Sequence, residues 1–201
     1  MTTDRAQLRR AARRAENRRD ILDAAERVFA AHGIQAGSIR KIGAESGFSA
    51  AAIYLFFDNK HQLLVETLTR RGDELVAAIA TAATAGSDSL DSLHRIIDAT
   101  LEYFEAHPDF GRLVHQLRAL DELGSSGSPL VDHATSVISD LVRTGQSAGQ
   151  IRPGNSRALA HLYEVIVHEH VVLAAADSPQ AANLTRAELH DFVDGALRAR
   201  R

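Results

Sequence analysis

The stretch GFSAAAIYLFFDNK at residues 47–60 decides the fold class of this chain. It holds four aromatic residues and three alanines in a chain that is only 5% aromatic. A short apolar run is compatible with a buried strand or a buried helix, so its flanks must decide between them. Ser49 can cap a helix, alanine is the best helix former, and Asp58-Asn59 offers a turn. The flanks therefore predict a helix from Ala50 to Phe57.

Two further helices are predicted before this stretch. Apolar residues at helical spacing indicate a first helix that stops at Gly33: Ile21, Leu22, Ala25, Val28 and Phe29. Ser38 then caps a shorter helix that ends at Ser46-Gly47. Two short helices joined by a glycine-containing turn and packed on a longer one form the arrangement of a helix-turn-helix.

The rest of the chain is also predicted to be helical. Breakers such as Gly86-Ser87, His107-Pro108 and Pro153-Gly154 separate the periodic segments. The segments are expected at about 61–82, 90–106, 108–123, 129–148, 156–176 and 185–200. The predicted fold is all-α, with an N-terminal three-helix helix-turn-helix domain (1–60) and a C-terminal helical bundle (61–201), about nine helices in total.

Composition limits the classes of function. With 201 residues, 45% hydrophobic and 24% charged, the chain suits one or two compact domains. It has no cysteine, hence no disulfide, thiolate metal site or thiol nucleophile. No apolar run reaches about 18 residues and no signal-peptide core follows the basic N-terminus, so the cytoplasm is expected. There is no GxSxG motif or phosphate-binding glycine loop, so neither an enzyme nor a cofactor is expected.

Charge is divided unevenly along the chain. Residues 1–60 contain 11 Lys+Arg and 7 Asp+Glu, whereas the remainder contains 12 and 19. Seven of the arginines lie in the first twenty positions: Arg5, Arg9, Arg10, Arg13, Arg14, Arg18 and Arg19. This division suggests a basic module that faces a polyanion, although a solvated helix face is the alternative.

Residues from about Arg18 to Leu64 resemble the TetR-like one-component transcriptional regulators. The resemblance is carried by AAERVF at 24–29, Gly33, SIRKIG at 38–43, GFS at 47–49, Ile53-Tyr54, Phe57, Lys60 and Leu63. It implies an all-helical homodimer whose first three helices bind a palindromic operator and whose variable C-terminal body binds an effector. Two positions depart from the family pattern, because Phe56 replaces a usual His or Tyr and Gly43 replaces a usual Ala.

A helix-turn-helix places the first residues of its second short helix against bases in the major groove, and other residues contact phosphates. The candidate DNA-binding residues are Arg18, Ser38, Arg40, Lys41, Ser49, Ala50, Ala51, Ala52, Tyr54 and Lys60. Lys60 is expected to hold a phosphate as a point charge. The alanines permit close approach and contact with thymine methyls but supply no hydrogen-bond code.

Histidines and aromatic residues of the C-terminal body suggest a ligand site. The candidate effector-binding residues are Tyr103, Phe104, His115, Arg118, His133, Tyr163, Val167 and His168. An apolar cavity with a few polar groups suits a small amphipathic ligand. His161, Glu164 and His168 share one helix face, which leaves three interpretations open: metal binding, effector contact, or plain packing and solvent exposure.

The last two predicted helices carry apolar stripes that suggest a dimer. Paired with their symmetry mates they would form a four-helix bundle, although intrachain packing explains part of each stripe. The candidate interface residues are Leu159, Leu162, Ile166, Leu189, Phe192, Val193 and Ala196.

The sequence therefore predicts a ligand-responsive transcriptional regulator, a repressor, which binds a palindromic DNA operator as a homodimer and responds to a small amphipathic effector. The alternative is a helical ligand-binding or scaffold protein that has lost sequence-specific DNA binding, because the recognition segment is rich in alanine.

Overall fold

The computed structural model describes residues 2–119, 129–175 and 184–199. In these ranges the chain forms nine helices, which confirms the predicted all-α class. They are α1 (Thr2–His32), α2 (Ile39–Ser46), α3 (Ala50–Ile53), α4 (Lys60–Ala85), α5 (Ser89–Ala106), α6 (Pro108–Ala119), α7 (Pro129–Ser147), α8 (Ser156–Ala175) and α9 (Arg186–Leu197). The described strand-type pairing is one isolated antiparallel bridge between Ile151 and Arg198.

The chain divides into an N-terminal unit, Met1–Arg71, and a C-terminal unit, Gly72–Arg201. The division falls inside α4 instead of at its start, where the sequence predicts it. Leu63, Leu64 and Thr67 are buried in the N-terminal unit. A helix of 26 residues can supply its first turns to one core and its later turns to another.

Serine residues cap the N-termini of the two short helices in the N-terminal unit. The Ser38 hydroxyl accepts a hydrogen bond from the Lys41 amide (3.3 Å), and the Ser49 hydroxyl accepts one from the Ala52 amide (3.1 Å). Gly47, between the helices, has φ +78°, a conformation that side chains disfavour. The core beneath them is aliphatic and aromatic: Ile21, Ala25, Phe29, Ile42, Ile53, Phe57 and Leu63.

The third helix is shorter than the sequence predicts, because α3 ends at Ile53 and not at Phe57. Beyond it the chain turns tightly, with the Leu55 amide donating to the Ala52 carbonyl and the Phe56 amide to the Ile53 carbonyl. The apolar run continues because Ile53 and Phe57 are both buried, while Leu55 is 73% exposed. An apolar pattern indicates which residues are buried but not whether their backbone is helical. For this reason the sequence predicted a third helix that was too long.

In the C-terminal unit, α5 packs against α6, α7, α8 and α9, and α8 packs against α6 and α7. The buried residues at the centre include Leu93, Ile97, Ile138, Val142 and Tyr163. Residues 120–123, 176 and 200 of the predicted helices lie outside the described residues. No described helix is long and apolar enough to cross a membrane.

Candidate nucleic-acid interface and effector site

The recognition surface of the N-terminal unit consists of the exposed positions of α3 and its flanks. Ser49, Ala50 and Ala51 are exposed, Ala52 is half-buried, and Tyr54 is 54% exposed. On α2, Arg40 is exposed and Lys41 is half-buried. Each capping serine accepts an amide hydrogen bond, so its own hydroxyl proton remains available for a phosphate oxygen. The structure thus presents these candidate residues at the surface of one unit.

Lys60 has a role that sequence reasoning missed. Its ammonium donates to the carbonyl oxygens of Ile34 (3.0 Å), Gln35 (3.2 Å) and Gly37 (3.1 Å). An ammonium has three donors, and the loop between α1 and α2 takes all of them. This differs from the predicted phosphate contact, because Lys60 ties the loop to the start of α4.

The contacts of Arg18 also differ from the DNA contact that the sequence predicts for it. Its guanidinium donates to the Phe56 carbonyl (3.1 Å), pairs with Glu66, and lies 4.6 Å from the centre of the Phe57 ring. One helical turn earlier, Arg14 donates to the Leu55 carbonyl (3.2 Å) and lies over the Phe56 ring. Both arginines therefore hold the turn that follows α3.

A buried ion network joins α4 to α1 within the N-terminal unit. Glu26 is only 4% exposed and accepts from Arg71 Nε at 2.7 Å, while Arg70 donates to Asp23 at 2.6 Å. Removing one member of such a network would leave an uncompensated buried charge.

Gly43 permits α2 and the following turn to approach each other closely. A Cβ atom at this position would lie 2.5 Å from the carbonyl oxygen of Phe48 and 3.7 Å from Ile53 Cδ1. The departure from the family's alanine therefore has a packing reason.

Aromatic rings of the candidate effector site meet at the junction of α5 and α6. Phe104 stacks on Phe110 with ring centres 5.4 Å apart, and Tyr103 lies 4.5 Å from the His107 ring. The Tyr103 hydroxyl donates to Glu74 (2.9 Å). The structure thus brings Tyr103 and Phe104 together with Phe110 and His107.

Tyr163 and Val167 lie in the core of the C-terminal unit. Tyr163 is 2% exposed, and its hydroxyl donates to the Leu93 carbonyl (2.6 Å). Burial, followed by the carboxylates of Asp98 and Glu164, raises the pKa of Tyr163 well above its ordinary value. The tyrosine is therefore a structural member of the core in this conformation.

Among the described side chains of the same unit, several buried polar atoms have no hydrogen-bond partner, and these include Nδ1 of His115 and Oε1 of Glu164. The other carboxylate oxygen of Glu164 accepts from the Thr135 hydroxyl at 2.8 Å. Burial raises the pKa of Glu164 above its ordinary value. Unsatisfied buried polar atoms are uncommon in native structures and suggest an absent partner.

The other histidines that the sequence predicts as ligands lie at the surface. His133, His161 and His168 are exposed, and the side chain of Arg118 lies outside the described residues. Among the side chains that the structure describes, no group of three or more His, Asp or Glu residues is arranged to hold a metal ion. The structure therefore gives no support to a metal site formed by His161, Glu164 and His168.

The predicted dimer stripes separate into buried and exposed residues. Leu189 and Val193 are buried in the chain's own core, which removes both from the predicted interface. Leu159, Ile166 and Ala196 are half-buried. Leu162 on α8 is 57% exposed and Phe192 on α9 is 54% exposed. Helical periodicity could not separate the inner and outer sides of a helix with apolar residues on both.

Sequence reasoning missed a paired contact between α5 and α9. His94 Nε2 lies 2.9 Å from Asp194, His190 Nε2 lies 3.0 Å from Asp98, and the two imidazoles stack with centres 4.4 Å apart. The available signal was the repeated His-x3-Asp spacing at 94–98 and 190–194, which places each pair on one helix face.

The helix-turn-helix region of the chain is similar to a known family. Residues 21–67 match the family described as bacterial regulatory proteins, tetR family. The nicotine-responsive transcriptional repressor HdnoR of Paenarthrobacter nicotinovorans is 30% identical over 41% of this chain and 43% of its own length. A transcriptional repressor of Mycobacterium tuberculosis is 24% identical over 92% of this chain and 94% of its own length. The chain spans less than half the length of the first curated relatives that it matches.

Solved structures resemble the chain over most of its length. A putative transcriptional regulator from Saccharomonospora viridis, solved in complex with choline, has a TM-score of 0.77 at 23% identity, covering 92% of this chain and all of that one. At this identity the likeness shows the fold. The tetR-family sequence thus occupies the helix-turn-helix region, and the chain as a whole has the fold of solved TetR-family regulators.

Proposed function

We propose that the protein is a transcriptional repressor that binds an inverted-repeat operator as a homodimer and responds to a small amphipathic ligand. The observation that carries the proposal is the recognition surface around α3, held on both sides by side-chain bonds to backbone carbonyls. Lys60 fixes the loop before α2, and Arg14 and Arg18 fix the turn after α3. Because this surface is already ordered, DNA binding does not have to supply the free energy of ordering it.

DNA recognition would rest on few side chains. Ala50 and Ala51 are small enough to let α3 approach the major groove and touch thymine methyl groups. Tyr54 offers an exposed hydroxyl. Ser38, Arg40, Lys41 and Ser49 would contact phosphates and fix the register, since phosphate contacts position a protein without reading sequence.

Dimerisation would use the outer sides of α8 and α9. Leu162, Val165 and Phe192 are all exposed there. A two-fold axis relating these surfaces would produce a self-complementary contact. The operator would then be an inverted repeat with half-site centres about 34–36 Å apart, or a small multiple of that distance.

Effector binding would involve the C-terminal unit. The aromatic cluster at the junction of α5 and α6 offers apolar surface, and the unpartnered atoms of His115 and Glu164 offer polar contacts. The names of two similar proteins, one responsive to nicotine and one in complex with choline, support ligand response in proteins of this kind. α4 contributes residues to both units, so it is the element through which a bound ligand would act.

Selection of genomic fragments with the purified protein tests the DNA-binding part. We expect enrichment of a site with dyad symmetry, and we expect Tyr54→Ala to lose affinity for it while the dimer persists. Absence of any enriched duplex would instead favour the helical scaffold without sequence-specific DNA binding. Genes next to the enriched site would then guide the choice of candidate ligands for titration.

Light scattering tests the dimer. Phe192→Glu places a charge in the proposed interface, so we expect a monomer at micromolar concentration. Val65→Glu is the matched control, because Val65 is an exposed residue of the N-terminal unit. A wild-type monomer, or an equal effect of both substitutions, would contradict the proposed interface.

A further inference from the structure

The first helix extends well beyond the core of its unit. α1 is continuous from Thr2 to His32, and among its described side chains, which begin at Arg5, the first buried one is Ile21. Residues 2–20, here called the basic arm, are therefore a helix about 28 Å long at 1.5 Å per residue. The described side chains from Arg5 to Glu16 are all exposed. The arm is thus a helical extension whose side chains keep fixed directions around one axis.

Two rows of arginines with four-residue spacing run along the basic arm, Arg5–Arg9–Arg13 and Arg10–Arg14–Arg18. Arg10, Arg14 and Arg18 follow one another at intervals of four residues, so they lie on one face. We call this face the arginine stripe. Arg9 is adjacent to Arg10 in sequence, but it lies about 100° around the helix from Arg10, which turns it away from Arg14.

The inner end of the arginine stripe is fixed at the recognition surface. Arg14 and Arg18 donate to the carbonyls of Leu55 and Phe56, which directly follow the exposed Tyr54. Glu66 pairs with Arg18 and offsets its charge. Arg10, one turn further out, is exposed. Positive charge therefore continues outward from the recognition surface along one side of the arm.

We propose that the arginine stripe binds the sugar-phosphate backbone of the same duplex that α3 enters, outside the half-site. The inference rests on the proposed DNA-binding function. The occupant follows from charge and continuity: the stripe carries guanidinium groups, it begins beside Tyr54, and duplex phosphates repeat along the outside of the groove. Arg10 makes the outer contact, and Arg14 adds its charge while holding the turn after α3.

An ordered stripe predicts something that a diffuse basic arm does not. Each phosphate neutralised by a cationic side chain adds about 0.9 to the slope of log affinity against log salt concentration. A diffuse arm would lose affinity equally when any of its arginines is neutralised. A helical stripe should respond strongly at Arg10 and weakly at Arg9, although the two substitutions remove the same charge at the same distance along the arm.

The test compares Arg10→Gln with Arg9→Gln in the full-length protein. Affinity for the selected operator and for a random duplex is measured between 50 and 200 mM salt, with circular dichroism to check that the helix content is retained. We expect Arg10→Gln to reduce the salt slope by about 0.9 per half-site and to weaken both duplexes by the same factor. Arg9→Gln should leave the slope close to that of the wild type.

Three results would overturn the inference. The slope could be unchanged in Arg10→Gln, both variants could lose the same amount, or the loss in Arg10→Gln could be confined to the operator, which would show base reading. Each of these leaves wild-type operator binding intact and so differs from failure of the proposed function. If the wild type binds no duplex at low salt, the DNA-binding function itself is refuted and the inference falls with it.

Discussion

The side chains that hold the recognition surface and the side-chain pairs of the C-terminal unit differ in their partners. In the N-terminal unit, Lys60, Arg14 and Arg18 donate to backbone carbonyls of the loop before α2 and the turn after α3. In the C-terminal unit, polar side chains pair with each other across helices. His94 faces Asp194, His190 faces Asp98, and Thr135 donates to Glu164.

From this difference we expect a rigid recognition surface and a C-terminal unit that responds to a ligand. Bonds from Lys60, Arg14 and Arg18 to carbonyls fix the backbone on either side of α2 and α3. In the C-terminal unit, by contrast, buried polar atoms without partners offer sites for a ligand. We therefore expect the recognition surface to tolerate changes in conditions that alter the C-terminal unit.

The largest expected effect comes from breaking the Lys60 contacts. Lys60→Met removes a charged donor from three carbonyls and should destabilise the N-terminal unit by about 2–3 kcal/mol. Hydrogen exchange should accelerate at residues 34–46, and operator affinity should fall because the recognition surface loses its order. Lys41→Met, on α2, is the matched control and should leave exchange unchanged. If both variants lose affinity without faster exchange, Lys60 contacts phosphate after all.

A smaller effect is expected where α2 meets the following turn. Gly43→Ala puts a Cβ atom 2.5 Å from the Phe48 carbonyl oxygen, so the backbone must shift. Overpacking costs about 1–3 kcal/mol, from which the better helix propensity of alanine recovers about 1 kcal/mol. We expect a net loss in denaturant unfolding of the N-terminal unit. A gain in stability would show that this unit is less rigid than the comparison of the two units implies.

The smallest effect is a change in pH dependence in the C-terminal unit. Burial raises the pKa of the Glu164 carboxyl in the folded state. The protonated carboxyl group therefore makes its full contribution to folding stability below the ordinary pKa of 4.5. This contribution is lost as the pH rises through the pKa of the folded state, because the folded protein holds the proton to a higher pH than the unfolded chain does. Glu164→Gln should therefore raise the melting temperature at pH 7 and have little effect at pH 4.

Asp73→Asn removes the same charge from an exposed position of the C-terminal unit and serves as the control. Thermal melts of the two variants between pH 4 and 7 give the comparison. If the melting temperatures of Glu164→Gln and Asp73→Asn depend on pH in the same way, burial of the ionised Glu164 does not destabilise the folded protein.

Sequence reasoning succeeded where a structural signal is local in the chain. The serine caps at Ser38 and Ser49, the glycine turn at Gly47 and the apolar stripe of α1 each depend on neighbours within a few residues, and the structure contains all of them. It failed for Leu189 and Val193, which have the same spacing as interface residues but are buried inside the chain. Periodicity identifies an apolar face and not the chain that covers it.

By itself the sequence determined the helical class, the helix-turn-helix and the likeness to TetR-like regulators, because helix propensity, capping and apolar spacing act over short distances. The tertiary structure alone decided that Lys60 bonds to carbonyls some 25 residues earlier in the chain and that His94 meets Asp194, a separation of 100 residues. It also decided that Tyr163 belongs to the core. Such contacts depend on how helices pack, and each of these side chains is compatible with several partners until packing brings one of them within reach.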